Sequence, residues 1–257
     1  MKEEIVLRCE DSFEGIFTAI YDAFVYKNKM EKTYEDDITI AIGTGGNYSL
    51  FVKEIEVKTD LDKSQKTIKT IQNRLGHAVY NTLFRALCHY DEDRATIVLG
   101  YLVRGFQTGQ RIREHLADEY VMRVMELSRK VSNEEQRMKG FLRFRDVGQF
   151  LFAEVEPKCN LVPIFIEHFE DRYPNENFVI YDHKRKLSAV HPAFSEAFFV
   201  TGEDLHKEFA SCQDEYEALW IQYFNTMGIK ERKNEKCQMN MMPKWYRKNM
   251  IEQHQII

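Results

Sequence analysis

The sequence predicts an α+β protein in which an antiparallel sheet, including two β-hairpins, packs with a helical layer or bundle. Three observations carry this expectation. Between Phe141 and His191, two pairs of alternating apolar runs are each joined by a short polar turn. From Leu61 to Arg137, apolar residues recur at helical spacing almost without interruption. The segments run strand, helix, strands, helices, hairpin, helix, hairpin, helix, an order that suits one layered α+β body. No linker rich in Pro, Gly or Ser divides the 257 residues. The expected unit is therefore a single compact domain over 1–257, with a helical subregion over 61–137 and a hairpin region over 138–191.

Taken in order, Ile5 to Arg8 reads as a strand. Ser12 is placed to cap a helix whose apolar face is Phe13, Ile16, Phe17, Ile20, Phe24 and Val25. Two short strands follow over Ile38–Ile42 and Leu50–Val57, separated by GTGGN. That cluster marks a turn, because no Lys-Ser/Thr pair and no helix start follow it as a phosphate cradle requires. The helical region breaks near Gly76, Asp91 and Gly109 into four pieces, each with its own apolar stripe. Gly105 to Gln110 reads as a helix C-cap, with a phosphate-approaching loop as the alternative. Leu161, Ile164, Phe165 and Phe169 give a further helical face that ends before Pro174. Pro192 to Val200 is short and shows no clear period. A long helix over Asp204–Met227 carries Leu205, Phe209, Tyr216, Leu219, Trp220, Tyr223 and Phe224, a stripe expected to be core. The segment from Lys236 onward is either a docking segment or a tail packed back on the body.

The first hairpin is expected to pair Phe141–Arg145 with Phe150–Val155 around Asp146–Gly148. The second pairs Phe178–Tyr181 with Leu187–Val190 around Asp182–Lys186. In a strand of period two, Arg143 and Arg145 share the face opposite Leu142 and Phe144. RMKGFLRFR contains four cations and no acid, and the second turn adds Lys184, Arg185 and Lys186. Fixed cations interleaved with aromatic rings are what a phosphate backbone and its bases require.

The net charge of −5 conceals zoning: residues 1–62 hold 7 basic and 14 acidic side chains, whereas 227–257 hold 7 basic and 3 acidic. Zoning of this kind suits a protein that meets a polyanion with one face, although folding can also intermix the zones. The cysteines Cys9, Cys88, Cys159, Cys212 and Cys237 are odd in number, widely spaced and without a CxxC pair. This argues against a disulfide scaffold and against a zinc or iron-sulfur site within the chain. No apolar run reaches the length of a membrane span, and MKEEIVLRCE lacks the apolar core of a signal peptide. A cytoplasmic protein with no membrane partner is expected.

The stretch EEQRMKGFLRFRDVGQFLFAEVEPKCNLVPIFIEHFEDRYPNENFVIYDHKR resembles the signature region of a family of DNA-repair (DNA-metabolism) proteins encoded beside a radical-SAM protein. The likeness extends back through GFQTGQRI and forward through LWIQYFNTMGIKERKN to the Pro243 tail. Longer relatives join the module to a uracil-DNA-glycosylase-like domain, which these 257 residues do not include. The resemblance implies DNA as a ligand and a radical-SAM protein as partner. It places the iron-sulfur cluster and S-adenosylmethionine in that partner, with no cofactor in this chain. Where the resemblance leads to a histidine before Arg137-Met138, this sequence has Gln136, so no proton-transfer role is carried to that position.

The candidate nucleic-acid contacts are Arg137, Lys139, Arg143, Phe144, Arg145, Lys184 and Arg185, with Lys244 and Trp245 from the basic C-terminal segment. The alternative is that the arginines pair with Glu154, Glu156 and Asp182 as ordinary ion pairs. Those three carboxylates are also the candidate catalytic set for a glycosylase, lyase or nuclease. Glu154 and Glu156, two apart on a strand, face one side, and Asp182 stands at the mouth of the second hairpin. Glu156 before Pro157 and Asp182 in a turn are equally ordinary turn residues. A protein-interaction module that touches no nucleic acid is the third class. No nucleophile elbow, Walker A motif, Rossmann fingerprint or Cys/His cluster appears, which sets aside ATP hydrolysis, hydride transfer and zinc deamination.

Overall fold

The computed structural model describes residues 4–30, 38–43, 52–202, 215–227, 229 and 234–250. The chain divides into two compact units, Met1–Ser132 and Asn133–Ile257. The sequence reading has one body over 1–257. The boundary between the units falls inside the last helix of its helical subregion.

The first unit opens with β1 (Glu4–Cys9) and α1 (Phe13–Met30). Ser12 caps α1 as expected, its Oγ accepting the Gly15 N–H at 3.0 Å. Strands β2 (Ile38–Ile42) and β3 (Val52–Glu56) flank β1 in the order β2-β1-β3, and both pairings are parallel. The sequence reading expects an antiparallel sheet; this first sheet is parallel, and the antiparallel pairings lie in the second unit. A strand that returns through a helix such as α1 re-enters in the same direction. Ile5, Leu7, Cys9, Ile38 and Ile40 are buried with Ile16, Phe17 and Ile20 of α1. On the outer edge, Thr96 Oγ1 accepts the Ile40 N–H at 2.9 Å and donates to its carbonyl at 3.1 Å, which satisfies backbone groups a neighbouring strand would otherwise take. Of the GTGGN turn, only Gly43 lies within the described residues; Thr44 to Asn47 lie outside them, as do Leu50 and Phe51.

Four helices follow: α2 (Leu61–Leu75), α3 (His77–Leu87), α4 (Arg94–Thr108) and α5 (Glu119–Phe141), with a 3-10 turn over Gly109–Glu114. The breaks fall where the sequence places them. Gly76 and Gly109 have φ of 90° and 81°, a conformation that only glycine adopts freely, and Gly109 closes α4 by donating to the Gly105 carbonyl. Asp118 begins α5, accepting from the Tyr120 and Val121 N–H groups while its other oxygen takes Arg104 Nε at 2.9 Å. A Cβ added to Gly100 of α4 would lie 2.3 to 2.6 Å from three carbons of the Tyr120 ring, well inside van der Waals contact. Gly100→Ala is therefore expected to cost about 1–3 kcal/mol through overpacking, read as a lower midpoint of chemical denaturation.

The second unit is built on a five-stranded sheet in the order β4-β5-β6-β7-β8: β4 (Arg145–Asp146), β5 (Leu151–Val155), β6 (Phe178–Asp182), β7 (Leu187–His191) and β8 (Phe198–Thr201). The second hairpin is present as β6–β7, antiparallel, with Phe178 opposite His191 and Asp182 opposite Leu187. The first is reduced to the pairs Arg145–Phe152 and Asp146–Leu151. Residues expected to open it continue α5 instead. Met138 and Leu142 are buried one turn apart, and the Leu142 N–H donates to the Met138 carbonyl at 2.9 Å. A run of five residues with three apolar positions is too short to fix a period; the helix keeps Phe141, and of the five only Arg145 joins a strand. Strand β6 pairs with β5 in parallel through the crossover helix α6 (Val162–Arg172), while the other three pairings of this sheet are antiparallel, as the sequence predicts.

Helix α7 (Glu215–Met227) begins within the expected long helix; residues 204–214, with Leu205 and Phe209, lie outside the described residues. Its stripe of Tyr216, Leu219, Trp220 and Tyr223 is exposed rather than core, with Trp220 stacked on Tyr223 at 5.8 Å. Periodicity identifies an apolar face but not what covers it. Helix α8 (Glu235–Met241) and a 3-10 turn (Lys244–Asn249) complete the description. Among the described residues, no helix is long and apolar enough to cross a membrane.

Candidate nucleic-acid interface

The loop Pro157–Asn160, between β5 and α6, is held from both sides. Glu134 of α5 is buried, and its two carboxylate oxygens accept the N–H groups of Lys158 at 2.8 Å and Cys159 at 3.0 Å. Arg185, on the β6–β7 turn, donates to the carbonyls of Pro157 at 3.3 Å and Lys158 at 2.6 Å. The same guanidinium pairs with Asp182 at 2.9 Å. Asp182 is fully buried and accepts the Lys184 and Arg185 N–H groups, the local bonding by which an aspartate nucleates a turn. Lys186 completes that turn at φ 50°. Burial pushes the Asp182 carboxyl above its ordinary range, and Arg185 with the two amides offsets part of that rise.

The C-terminal 3-10 turn packs back on the same region of this unit, the second of the two alternatives for that segment. Tyr246 sits 5.6 Å from the Phe141 ring, with the Arg137 guanidinium 5.8 Å from its own ring centroid. Burial foremost raises the Tyr246 hydroxyl, and its hydrogen bond with Arg137 lowers it in part. The Lys158 ammonium lies 5.6 Å from the Trp245 centroid. Arg137, Lys158, Lys184, Lys186 and Lys244 are all exposed around this linked set, while Glu134 and Asp182 are turned inward.

The structure thus links Arg137, Lys184, Arg185, Lys244 and Trp245, and it gives other predicted residues different work. Arg143 does not lie on a strand; its Nη1 donates to the Gly140 and Leu142 carbonyls at 3.0 and 3.2 Å and so closes the C-terminus of α5. Arg145 pairs with Glu154 at 3.0 Å, its guanidinium 5.7 Å from the Phe152 centroid. Lys139 pairs with Glu135, one turn away, at 2.6 Å. Phe144 is met edge-on by Phe169, Tyr173 and Phe178 at 5.4 to 5.5 Å. In the β5–β6 register Asp182 stands opposite Val155, so its side chain lies on the face away from Glu154. Glu156 follows the last residue of β5 and is half-buried.

Two residues of this site escaped sequence reading. Lys158 carries no local signal, since only tertiary contacts bring it to Trp245. Glu134 does carry one. Val131, Glu134 and Met138 stand at i, i+3 and i+7 on α5, and an acid in the buried phase of a helix implies an internal partner.

Residues 92–252 match the family model described as a domain of unknown function, DUF4130. The match takes in every residue of the interface. No curated protein matches the chain.

Proposed function

We propose, for a chain that belongs to the DUF4130 family of unknown function, that it is a DNA-binding accessory protein of DNA repair. In this reading Arg137, Lys158, Lys184, Lys186 and Lys244 hold phosphates, and the bound DNA is presented to a partner. The observation that carries it is the division of labour around the Pro157–Asn160 loop: lysines outward, carboxylates inward on amides and on Arg185. A surface built this way keeps its positive field, because Glu134 and Asp182 are spent internally. The family resemblance supplies the rest of the reading, a radical-SAM partner that carries the iron-sulfur cluster and S-adenosylmethionine.

An enzymatic role through Glu154, Glu156 and Asp182 requires convergent carboxylates at a pocket. Glu154 is paired with Arg145, and Asp182 is enclosed on the opposite face with Arg185, which favours the binding role.

Salt dependence tests the proposal. With about three to five phosphates neutralised, log affinity for a short duplex is expected to fall against log salt with a slope of roughly −3 to −4.5. The double variant Lys184→Ala/Lys244→Ala is expected to flatten that slope by about 2 and leave the unfolding midpoint in place. Arg145→Ala is expected to do the reverse, since its partner is Glu154. A flat slope in the wild-type protein, or tighter binding to an acidic polypeptide than to DNA, would replace this reading with a protein-interaction role.

A further inference from the structure

We infer that the interface takes single-stranded DNA in preference to duplex, with an unpaired base stacked on Trp245 and the flanking phosphates on Lys158, Arg137 and Lys244. This rests on the DNA-binding reading above and names its substrate class.

The placement of Trp245 is the first support. Pro243 fixes the entry to its turn, the Tyr246 N–H donates to the Pro243 carbonyl at 3.0 Å, and Arg247 Nε donates to the Met242 carbonyl at 3.0 Å. With three residues per 3-10 turn, consecutive side chains diverge by about 120°. Tyr246 is directed onto Phe141, and Trp245 is left 38% exposed. An indole held outward by an anchored neighbour has little conformational freedom to lose on stacking.

Lys158 supplies the second support. Its N–H is taken by Glu134 and its carbonyl by Arg185, so its backbone is fixed while its ammonium remains exposed over the indole. A cation over an exposed ring is held weakly. A nucleotide can draw that ammonium onto its phosphate and lay its base on the ring, and the loop need not move. Duplex DNA offers phosphates to the lysines but no free base face to the indole, because its bases are already stacked on both sides.

The third support is which cations are available. Arginine forks read base edges in the major groove. Here Arg143, Arg145 and Arg185 are bonded to carbonyls or carboxylates, and the outward set is mostly lysine, point charges on flexible stems suited to following a flexible strand.

The test compares binding of the full chain to an oligothymidylate of about 20 nucleotides and to a duplex of equal length at matched salt. The single strand is expected to bind more tightly. Trp245→Ala is expected to weaken single-strand binding about 5- to 150-fold and duplex binding far less, and Trp245→Tyr to recover most of the single-strand loss. In a Trp220→Phe chain, where Trp245 is the remaining tryptophan, fluorescence is expected to be quenched by the oligothymidylate. Equal affinity for both forms, or equal loss on both from Trp245→Ala, overturns the stacking inference and leaves DNA binding standing. Binding to neither form overturns both.

Discussion

Asp182→Ala is expected to destabilise the second unit by about 3 kcal/mol, the range found when one member of a buried ion pair is removed. Three donors converge on this carboxylate: the Lys184 and Arg185 amides and the Arg185 guanidinium. Alanine leaves the amides without their acceptor and Arg185 without its counter-charge, although the Pro157 and Lys158 carbonyls remain bonded to it. Asp182→Asn keeps the shape and an acceptor oxygen and is expected to cost less. Chemical denaturation followed by tryptophan fluorescence reads the right part of the molecule, since Trp220 and Trp245 both lie in Asn133–Ile257. A midpoint unchanged in Asp182→Ala would mean that the β6–β7 turn closes without it.

The same carboxylate gives a pH dependence of unusual sign. Burial outweighs Arg185 and holds the proton on Asp182 above the ordinary value of 3.8. Between that value and the raised one, the folded chain binds more protons than the unfolded chain, so stability falls as pH rises. The contribution is complete below the unfolded value and is lost as pH climbs through the folded one. Against Asp182→Asn, which cannot titrate, the wild-type unfolding free energy is expected to decline across this acidic window. A difference that grows with pH would show that Arg185 outweighs burial.

How much of this was legible in the sequence depends on how local each cause is. Ser12, Gly76 and Gly109 act on their own helix ends, and each performs the role its position implies. The β6–β7 hairpin was legible because both strands and their turn lie within one short stretch. The parallel β5–β6 pairing was not, because it depends on how α6 returns the chain. Residue type drew attention to Arg137, Lys184, Arg185, Lys244 and Trp245, but it could not separate outward cations from committed ones. Arg143 serves a helix end because α5 runs to Phe141, and Arg145 serves Glu154 because β4 and β5 meet. The ion-pair alternative was thus right for Arg145 with Glu154 and for Arg185 with Asp182. Arg137, Lys158, Lys184, Lys186, Lys244 and Trp245 remain the exposed set.

Glu134 separates positioning from charge in this site. Its carboxylate accepts two amides of the loop, and hydrogen bonds to a charged group contribute about 1.5–3 kcal/mol each, so Glu134→Ala is expected to cost about 3 kcal/mol or more. Glu134→Gln retains one acceptor oxygen but sets an amide N–H₂ against the other backbone N–H, and an intermediate loss is expected. Its effect on DNA binding has an informative sign. Charge alone predicts that removing an acid beside a cationic surface tightens binding. If Glu134 acts by fixing the loop, Glu134→Gln instead releases Lys158 from its place over Trp245 and weakens binding, by several-fold for a single strand. Titration of both proteins with the oligothymidylate at low salt decides between the two, and tighter binding by the variant would reduce Glu134 to a background charge.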